Sequence, residues 1–299
     1  MKHTATELKQ KQSLPLEAKI KMSITRIKAF YENLDGDVYV SFSGGKDSTV
    51  LLHLVRSIYP DVKAVFVDTG LEFPEIKRFV RSFENVEILK PKMPFPQVLE
   101  KYGYPVISKE NAQKLEEIRN TKSDKLKNKR LYGDEKGNGK LPEKWKFAID
   151  ATFKISGKCC NIMKKNPARD YEKKSGLKPF IGTMASDSWL RRSNWLENGC
   201  NSFNSGKEKS NPLSFWLESD IWDYLKGFKI PYAEVYDMGY ERTGCVFCMF
   251  GLEKDETDRF EMLKKTHPKL YAYCMNKLGL RKIIDYIKDR GIQHTQGKE

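Results

Sequence analysis

Apolar residues recur at helical spacing through Leu16–Leu34, at Ile20, Ile24, Ile27, Tyr31 and Leu34, which predicts an amphipathic helix. The period then changes. Val38-Tyr39-Val40-Ser41-Phe42 is a short β-branched and aromatic run, the pattern of a buried strand, and Ser48–Val55 reads as an apolar-faced helix. Further strands are predicted near 63–67, 86–89 and 180–183, separated by helical stretches. Strands alternating with helices predict an α/β fold with a mainly parallel twisted sheet and helices on both faces. Residues 1–15 are polar and read as a loose tail. Residues 251–291, rich in Lys, Glu, Leu and aromatic side chains, read as further helices. The expected division is an N-terminal tail and helix (1–34), an α/β domain (35–250) with an insertion at about 105–178, and a C-terminal helical segment (251–299). No internal repeat or heptad run is present.

The predicted strand at 38–42 feeds the predicted helix at 48–55 through Ser43-Gly44-Gly45-Lys46-Asp47-Ser48. Glycine tolerates positive φ and carries no Cβ, so phosphate oxygens can approach backbone N–H groups, and the helix N-terminus adds partial positive charge. Ser43 and Ser48 offer hydroxyl donors and Lys46 a point charge. The spacing is neither that of the Walker loop nor the Gly-x-Gly-x-x-Gly dinucleotide fingerprint.

Ser-Gly-Gly-Lys-Asp-Ser after a strand resembles the PP-loop of ATP pyrophosphatases and, more narrowly, the phosphoadenosine-phosphosulfate (PAPS) reductase family. The resemblance runs from about residue 35 to 260. Val65-Phe66-Val67-Asp68-Thr69-Gly70 with Phe73-Pro74-Glu75 is similar to that family's second strand and following turn. Asn211-Pro212-Leu213, Trp216–Tyr224, Pro231-Tyr232 and Tyr236-Asp237-Met238-Gly239-Tyr240 are similar to its later half. The resemblance implies an adenine nucleotide alpha hydrolase-like fold and a nucleotide, ATP or a sulfonucleotide, held by Ser43, Gly44, Gly45, Lys46, Asp47 and Ser48. Arg191 and Arg192 fall where the family places basic residues that contact phosphate or sulfate. Asp68, at the predicted carboxyl end of a strand, stands where doubly wound sheets place ligand groups. Lys46, Asp47 and Asp68 are thus the candidate catalytic residues, with Asp47 as ligand or orienting group for Mg2+.

Six cysteines are present. With no secretory signal and no apolar run near the roughly eighteen residues needed to span a bilayer, the expectation is a cytoplasmic protein whose cysteines are not paired in structural disulfides. Cys159-Cys160 and Cys245-x-x-Cys248 supply four thiolates in two close pairs, a number that suits tetrahedral zinc or a cubane iron–sulfur cluster. A Cys-Cys pair followed about eighty residues later by Cys-x-x-Cys resembles the cluster motif of the iron–sulfur adenosine-phosphosulfate (APS) reductases, which implies a 4Fe-4S cluster on Cys159, Cys160, Cys245 and Cys248. Cys200 and Cys274 stand outside this set; either is a small buried hydrophobe or a persulfide carrier.

The departure from the family lies in the tail. Sulfonucleotide reductases carry a catalytic cysteine in a C-terminal Glu-Cys-Gly-Leu-His segment, whereas Asp289–Glu299 holds no cysteine. That favours the other use of a PP-loop, in which ATP is cleaved between its α and β phosphates to activate an oxygen for replacement by sulfur. The combination resembles the C component of DNA phosphorothioation systems and iron–sulfur tRNA thiolation enzymes, with a sulfur donor such as a cysteine desulfurase as partner. The oligomeric state, including a homo-oligomer, is left open. APS or PAPS reduction is the alternative, and a non-enzymatic nucleotide- and cluster-binding redox regulator the second.

A formal net charge of +14 adds an argument about the acceptor. Basic residues concentrate between Lys114 and Lys146, with Lys122, Lys125, Lys127, Lys129 and Arg130 close together and Tyr132, Trp145 and Phe147 interleaved. Either this is a solvated helix face, or it tracks the phosphates of DNA or tRNA while the rings stack on bases.

Overall fold

A computed structural model describes residues 3–204, 206–251 and 258–296, the last eight of these in backbone only. Residues 252–257 and 297–299, inside the segment read as C-terminal helices and tail, lie outside the described residues. In chain order the strands are β1 (Val38–Ser41), β2 (Ala64–Val67), β3 (Val86–Leu89), β4 (Val106–Ile107), β5 (Lys178–Ile181), β6 (Asn201–Ser202), β7 (Lys209–Ser210) and β8 (Met249–Phe250). The chain forms two compact units. One comprises Met1–Asp68, Glu72–Lys90 and Pro167–Thr243; the other comprises Thr69–Leu71, Pro91–Asn166 and Gly244–Glu299.

The first unit holds a six-stranded sheet in the order β3-β2-β1-β5-β7-β6. All pairings are parallel except β6 with β7. Consecutive residues of a strand point to opposite faces, and Val38, Tyr39 and Val40 of β1 are all buried, so both faces of the central strand are covered. On one face Tyr39 and Val65 cluster with Tyr171. The mainly parallel α/β architecture expected from the strand–helix alternation is the one observed.

Two local readings differ from expectation. The N-terminal residues are not a loose tail: Thr4 and Glu7 form a reciprocal capping box that starts a helix over Ala5–Gln12, and Leu8 is buried. The helix predicted over 16–34 is present as Leu16–Asn33, but its fully buried positions are Lys19, Ser23, Ile27 and Phe30. Lys19, 2 % exposed, meets Asp220 at 2.6 Å, and Ser23 donates to the Pro212 carbonyl while accepting from the Trp216 indole. Distant polar partners rotate the helix away from its most apolar face.

In the second unit, β4 and β8 pair in parallel, with Val106 opposite Met249 and Ile107 opposite Phe250. Ile107 is buried at φ +68, a conformation costly for a β-branched residue. Its carbonyl accepts from the Gly251 N–H at 2.9 Å, which pins the chain just past Cys248. Trp145 and Phe147 are buried side by side, and Phe147 also packs on Tyr286. Neither ring therefore faces outward to stack on a base, whereas Tyr132 is exposed.

Candidate functional site

The loop after β1 is built by its glycines. Gly44 has φ +72, and a Cβ there would stand 2.7 Å from Val80 Cγ2 and 2.9 Å from Ile76 Cγ2, both core side chains. Gly45 caps the helix Lys46–Arg56 without a side-chain cap of its own, and a Cβ there would meet Thr243 Oγ1 at 2.8 Å. Gly182, just past β5, approaches the loop so closely that a Cβ would stand 3.0 Å from the Asp47 carbonyl oxygen. Side chains at these positions would close the space that backbone N–H groups need to reach a phosphate.

Hydroxyl groups hold the cradle. The Ser43 N–H donates to Ser48 Oγ at 3.1 Å, the Gly45 N–H to Ser43 Oγ at 3.3 Å, and the Lys46 N–H to Tyr236 Oη at 2.8 Å. Ser48 Oγ and Thr49 Oγ1 donate to the Gly45 carbonyl. A hydroxyl both accepts and donates, so these groups order the loop and can turn to a phosphate oxygen when one arrives. At the first turn of the helix, the Asp47 and Ser48 N–H groups are not taken up by backbone carbonyls, as an anion-binding helix N-terminus requires.

Lys46 is 5 % exposed. Its Nζ donates to the Glu241 carbonyl at 3.0 Å and lies 3.0 Å from Glu218 Oε1 and 3.9 Å from Asp47 Oδ1. Burial opposes its charge, but Asp47, Glu218 and Tyr236 outweigh that, and the ammonium is held above its usual range. Asp47 is shifted the other way for a carboxylate. Burial raises its pKa, Asp187 and Glu218 add to the rise, and Lys46 and Arg191 oppose it. Asp47 Oδ1 is buried without a hydrogen-bond partner, a position that a cation or a ligand proton would satisfy.

Other residues singled out in the sequence divide around this loop. Arg191 is brought in: it pairs with Asp187, and both act electrostatically on Asp47. Asp187 also accepts from the Met184 N–H, and Ser188 caps the helix Trp189–Asn198 by accepting from the Arg191 N–H. Arg192 is exposed and makes no ion pair with the described residues. Asp68, at the end of β2, is engaged by Lys77 at 2.8 Å. Glu218, Glu241 and Thr243 were missed in the sequence, because nothing local marks them as neighbours of a loop some two hundred residues earlier.

In the second unit Cys159, Cys160, Cys245 and Cys248 line one small cavity with Leu71, Phe95, Phe247 and Phe250 among its walls. The first pair precedes a π-helical turn, Asn161–Lys165, a departure from α-helix common at functional sites. The second pair is held in a turn by the Cys248 N–H donating to the Cys245 carbonyl at 2.9 Å. Burial and the neighbouring thiols push Cys159 well up; burial, eased by the Phe250 N–H and raised again by Cys245 and Cys160, pushes Cys248 up to about 11. Lys164 and Arg259 pull in the opposite direction. Four thiols this close resist ionising together unless cationic iron or zinc neutralises them. Among the described residues, no three Cys, His, Asp or Glu side chains are drawn tightly enough around one point to hold a single metal ion. None of the six cysteines is in a disulfide. Cys274 is sealed, 0 % exposed, and burial pushes its thiol up to about 11. Cys200 is half-buried and accepts from Ser214 Oγ at 3.3 Å.

The basic stretch also divides. Arg130 is tied to Glu117 at 2.5 Å and Lys129 to Asp134 at 3.4 Å. Lys122, Lys125 and Lys127 are exposed and make no ion pair with the described residues, on or beside the helix Asp124–Tyr132, which buries none of its residues. No helix among the described residues is long and apolar enough to cross a membrane.

Comparison with known proteins bears on the first unit and the cysteines alike. The chain is 28% identical over 259 residues to an uncharacterised protein of Methanocaldococcus jannaschii, covering 84% of this chain and 50% of that one, so it spans about half the length of that relative. It is 25% identical to the adenosine 5'-phosphosulfate reductase of Staphylococcus epidermidis, covering 82% of this chain and 85% of the relative. Among solved structures it is similar to the U34-tRNA thiolase NcsA of Methanococcus maripaludis with its [4Fe-4S] cluster, at TM-score 0.43 and 14% identity, covering 90% of this chain and 80% of that one. It is also similar to the phosphoadenylyl-sulfate reductase of Candida auris in its phosphate complex, at TM-score 0.40 and 21% identity, covering 70% and 81%. The sequence profile of the phosphoadenosine phosphosulfate reductase domain matches residues 37–130 and 110–250, a span that takes in the glycine cradle, the Asp187–Arg191 segment and both cysteine pairs. The chain belongs to the phosphoadenosine phosphosulfate reductase domain family.

Proposed function

We propose that this protein is an ATP-dependent sulfur-transfer enzyme that releases pyrophosphate and acts on nucleic acid. The observation that carries the reading is the fate of its cysteines. Four gather at one cavity, Cys274 is sealed with a raised pKa, and Cys200 is half-buried against Ser214 Oγ, so none of the six is a freely exposed thiol of the kind that attacks a sulfate sulfur. The cradle, by contrast, offers first-turn N–H groups and a buried Lys46 ammonium, which supports a bound polyphosphate.

ATP would lie with its leaving β and γ phosphates on the Gly44–Ser48 backbone, where Lys46 and the unpaired first-turn N–H groups stabilise charge developing on pyrophosphate. The acceptor oxygen attacks the α-phosphorus, the bond to the bridging oxygen breaks, and pyrophosphate departs with the electron pair. Sulfide-level sulfur then attacks the atom that bore the adenylated oxygen, and that oxygen leaves with AMP; sulfur delivered as a persulfide would reach this level by taking two electrons from a thiol reductant. Asp47, with its buried unpartnered oxygen, would hold Mg2+ or orient its waters. Arg191, braced by Asp187, would contact the α-phosphate or the acceptor.

Cys159, Cys160, Cys245 and Cys248 would hold a 4Fe-4S cluster, with Lys164 and Arg259 offsetting thiolate charge. When bound, such a cluster supplies iron that can present sulfur or electrons. The sulfur itself would come from a donor such as a cysteine desulfurase.

The second reading, APS or PAPS reduction, is favoured by the relatives named as adenosine 5'-phosphosulfate reductases. It would need its nucleophile from Cys200 or from another thiol. One anaerobic experiment separates the two. Cluster-loaded protein is given ATP and magnesium with DNA or tRNA and followed for pyrophosphate; it is given APS or PAPS with a thiol reductant and followed for sulfite. Pyrophosphate release that requires nucleic acid is expected. Sulfite without ATP would overturn the proposal in favour of the reductase.

A further inference from the structure

Within the first unit, the segment after β5 treats its large apolar residues in opposite ways. Met184 and Trp195 are buried, whereas Trp189 and Leu190 are 76 % and 73 % exposed, the two most exposed large hydrophobic side chains among the described residues. Folding gives no reason for this. The helix Trp189–Asn198 is capped by Ser188 and anchored through Trp195, so its first turn would form with any polar residue at 189. The exposed surface is continuous along the chain: Ser186, Ser188, Trp189, Leu190, Arg191 and Arg192.

Its chemistry and position narrow the occupant. The surface combines an indole, hydroxyls and two guanidiniums. Asp187, the carboxylate within this segment, is already paired with Arg191, and Glu197 stands about two helical turns away. The chain carries a surplus of fourteen positive charges. Gly182, just upstream in this segment, lies against the Asp47 carbonyl, so the segment that carries Trp189 leaves the sheet at the nucleotide cradle.

We propose that Trp189, supported by Leu190 and Arg192, is the platform on which a nucleic-acid strand lands beside the bound ATP. The indole stacks on the face of a base and Arg192 takes a neighbouring phosphate. The inference rests on the reading that the acceptor is nucleic acid, and sharpens it. A base stacked within a duplex shows no free face, so the strand engaged at Trp189 is single-stranded or has its target nucleotide turned out.

The test is equilibrium binding of fluorescein-labelled single-stranded oligonucleotides, about 12 nucleotides long, as DNA and as RNA, with ATP affinity and sedimentation measured in parallel. Trp189→Ala is expected to weaken oligonucleotide binding by roughly 5- to 150-fold, the range set by loss of one base–aromatic stack. Trp189→Phe should recover most of it, and ATP affinity should stay within about twofold of the parent. Arg192→Ala should lower the slope of log affinity against log salt by about 0.7. Parent protein that binds the oligonucleotide no better than Trp189→Ala overturns the inference and leaves the sulfur-transfer reading standing. Loss of ATP affinity in Trp189→Ala would make the indole part of the nucleotide site, and loss of self-association would assign the surface to a second copy of the chain; either overturns it. Absence of both oligonucleotide binding and nucleic-acid-dependent pyrophosphate release in the parent takes down the function reading itself.

Discussion

At the scale of single residues, the cradle shows a conflict between stability and function, and Asp47 carries it. Its Oδ1 is buried with no hydrogen bond, and burial, with Asp187 and Glu218, outweighs the attraction of Lys46, 3.9 Å away, and of Arg191, an arrangement that costs free energy until a closer cation or a proton satisfies it. Asp47→Asn keeps the shape and removes the charge. The variant is expected to be more stable than the parent at neutral pH, yet to release pyrophosphate at least about a hundredfold more slowly. The sign with pH follows from linkage. A carboxyl whose folded pKa lies above its unfolded one, here 3.8, keeps its proton longer in the folded state. Stability is therefore lost as pH rises through that value and levels off above the folded pKa. Denaturation measured across this window should show the advantage of Asp47→Asn growing with pH and then becoming constant. An Asn variant less stable than the parent at every pH would mean that Asp47 is a structural anchor.

At the scale of elements, what was legible in the sequence was local. The β1–loop–helix unit could be read because period, glycines and cap fall within twenty residues, β2 because its apolar run is continuous, and β3 because Val86, Ile88 and Leu89 leave only Glu87 polar. What could not be read depended on distant partners. The face of the Leu16–Asn33 helix is set by Asp220 and Trp216, and Trp145 and Phe147 look like stacking rings until Tyr286 is seen beside them. The basic helix shows the same limit. Its lysines and Arg130 read as one cluster, yet Glu117 and Asp134 neutralise two members, and only Lys122, Lys125 and Lys127 are left to meet a polyanion. Reversing Lys125 and Lys127 together to Glu should lower the salt slope of nucleic-acid binding by at least about 1.4, two contacts at roughly 0.7 each. Arg130→Ala should leave the slope unchanged and lower stability, because it frees the part-buried Glu117. A slope unmoved by the double reversal would return this helix to ordinary solvated surface.

At the scale of the whole molecule, chemistry follows the division into two units. The cradle, Tyr236 and Asp187 belong to the first; both cysteine pairs belong to the second. The second unit is assembled from three separate segments of chain, Thr69–Leu71, Pro91–Asn166 and Gly244–Glu299. Cys159-Cys160 and Cys245-x-x-Cys248 lie in different ones of these segments, so a cluster bridging them would close a long loop. It would also stabilise the folded unit by the free energy with which it binds. Anaerobically purified protein is expected to be brown with about four irons per chain, and Ser at any one of Cys159, Cys160, Cys245 or Cys248 should bleach it. Hydrogen exchange before and after iron chelation should then respond unequally. Peptides from 95–107, 143–165 and 245–251 should lose protection, while those from 38–56 and 178–198 keep theirs and still gain protection on adding ATP. A uniform loss across both sets would mean that the cluster stabilises the whole chain, and a colourless protein with one zinc would replace the cluster with a structural ion on the same four thiols.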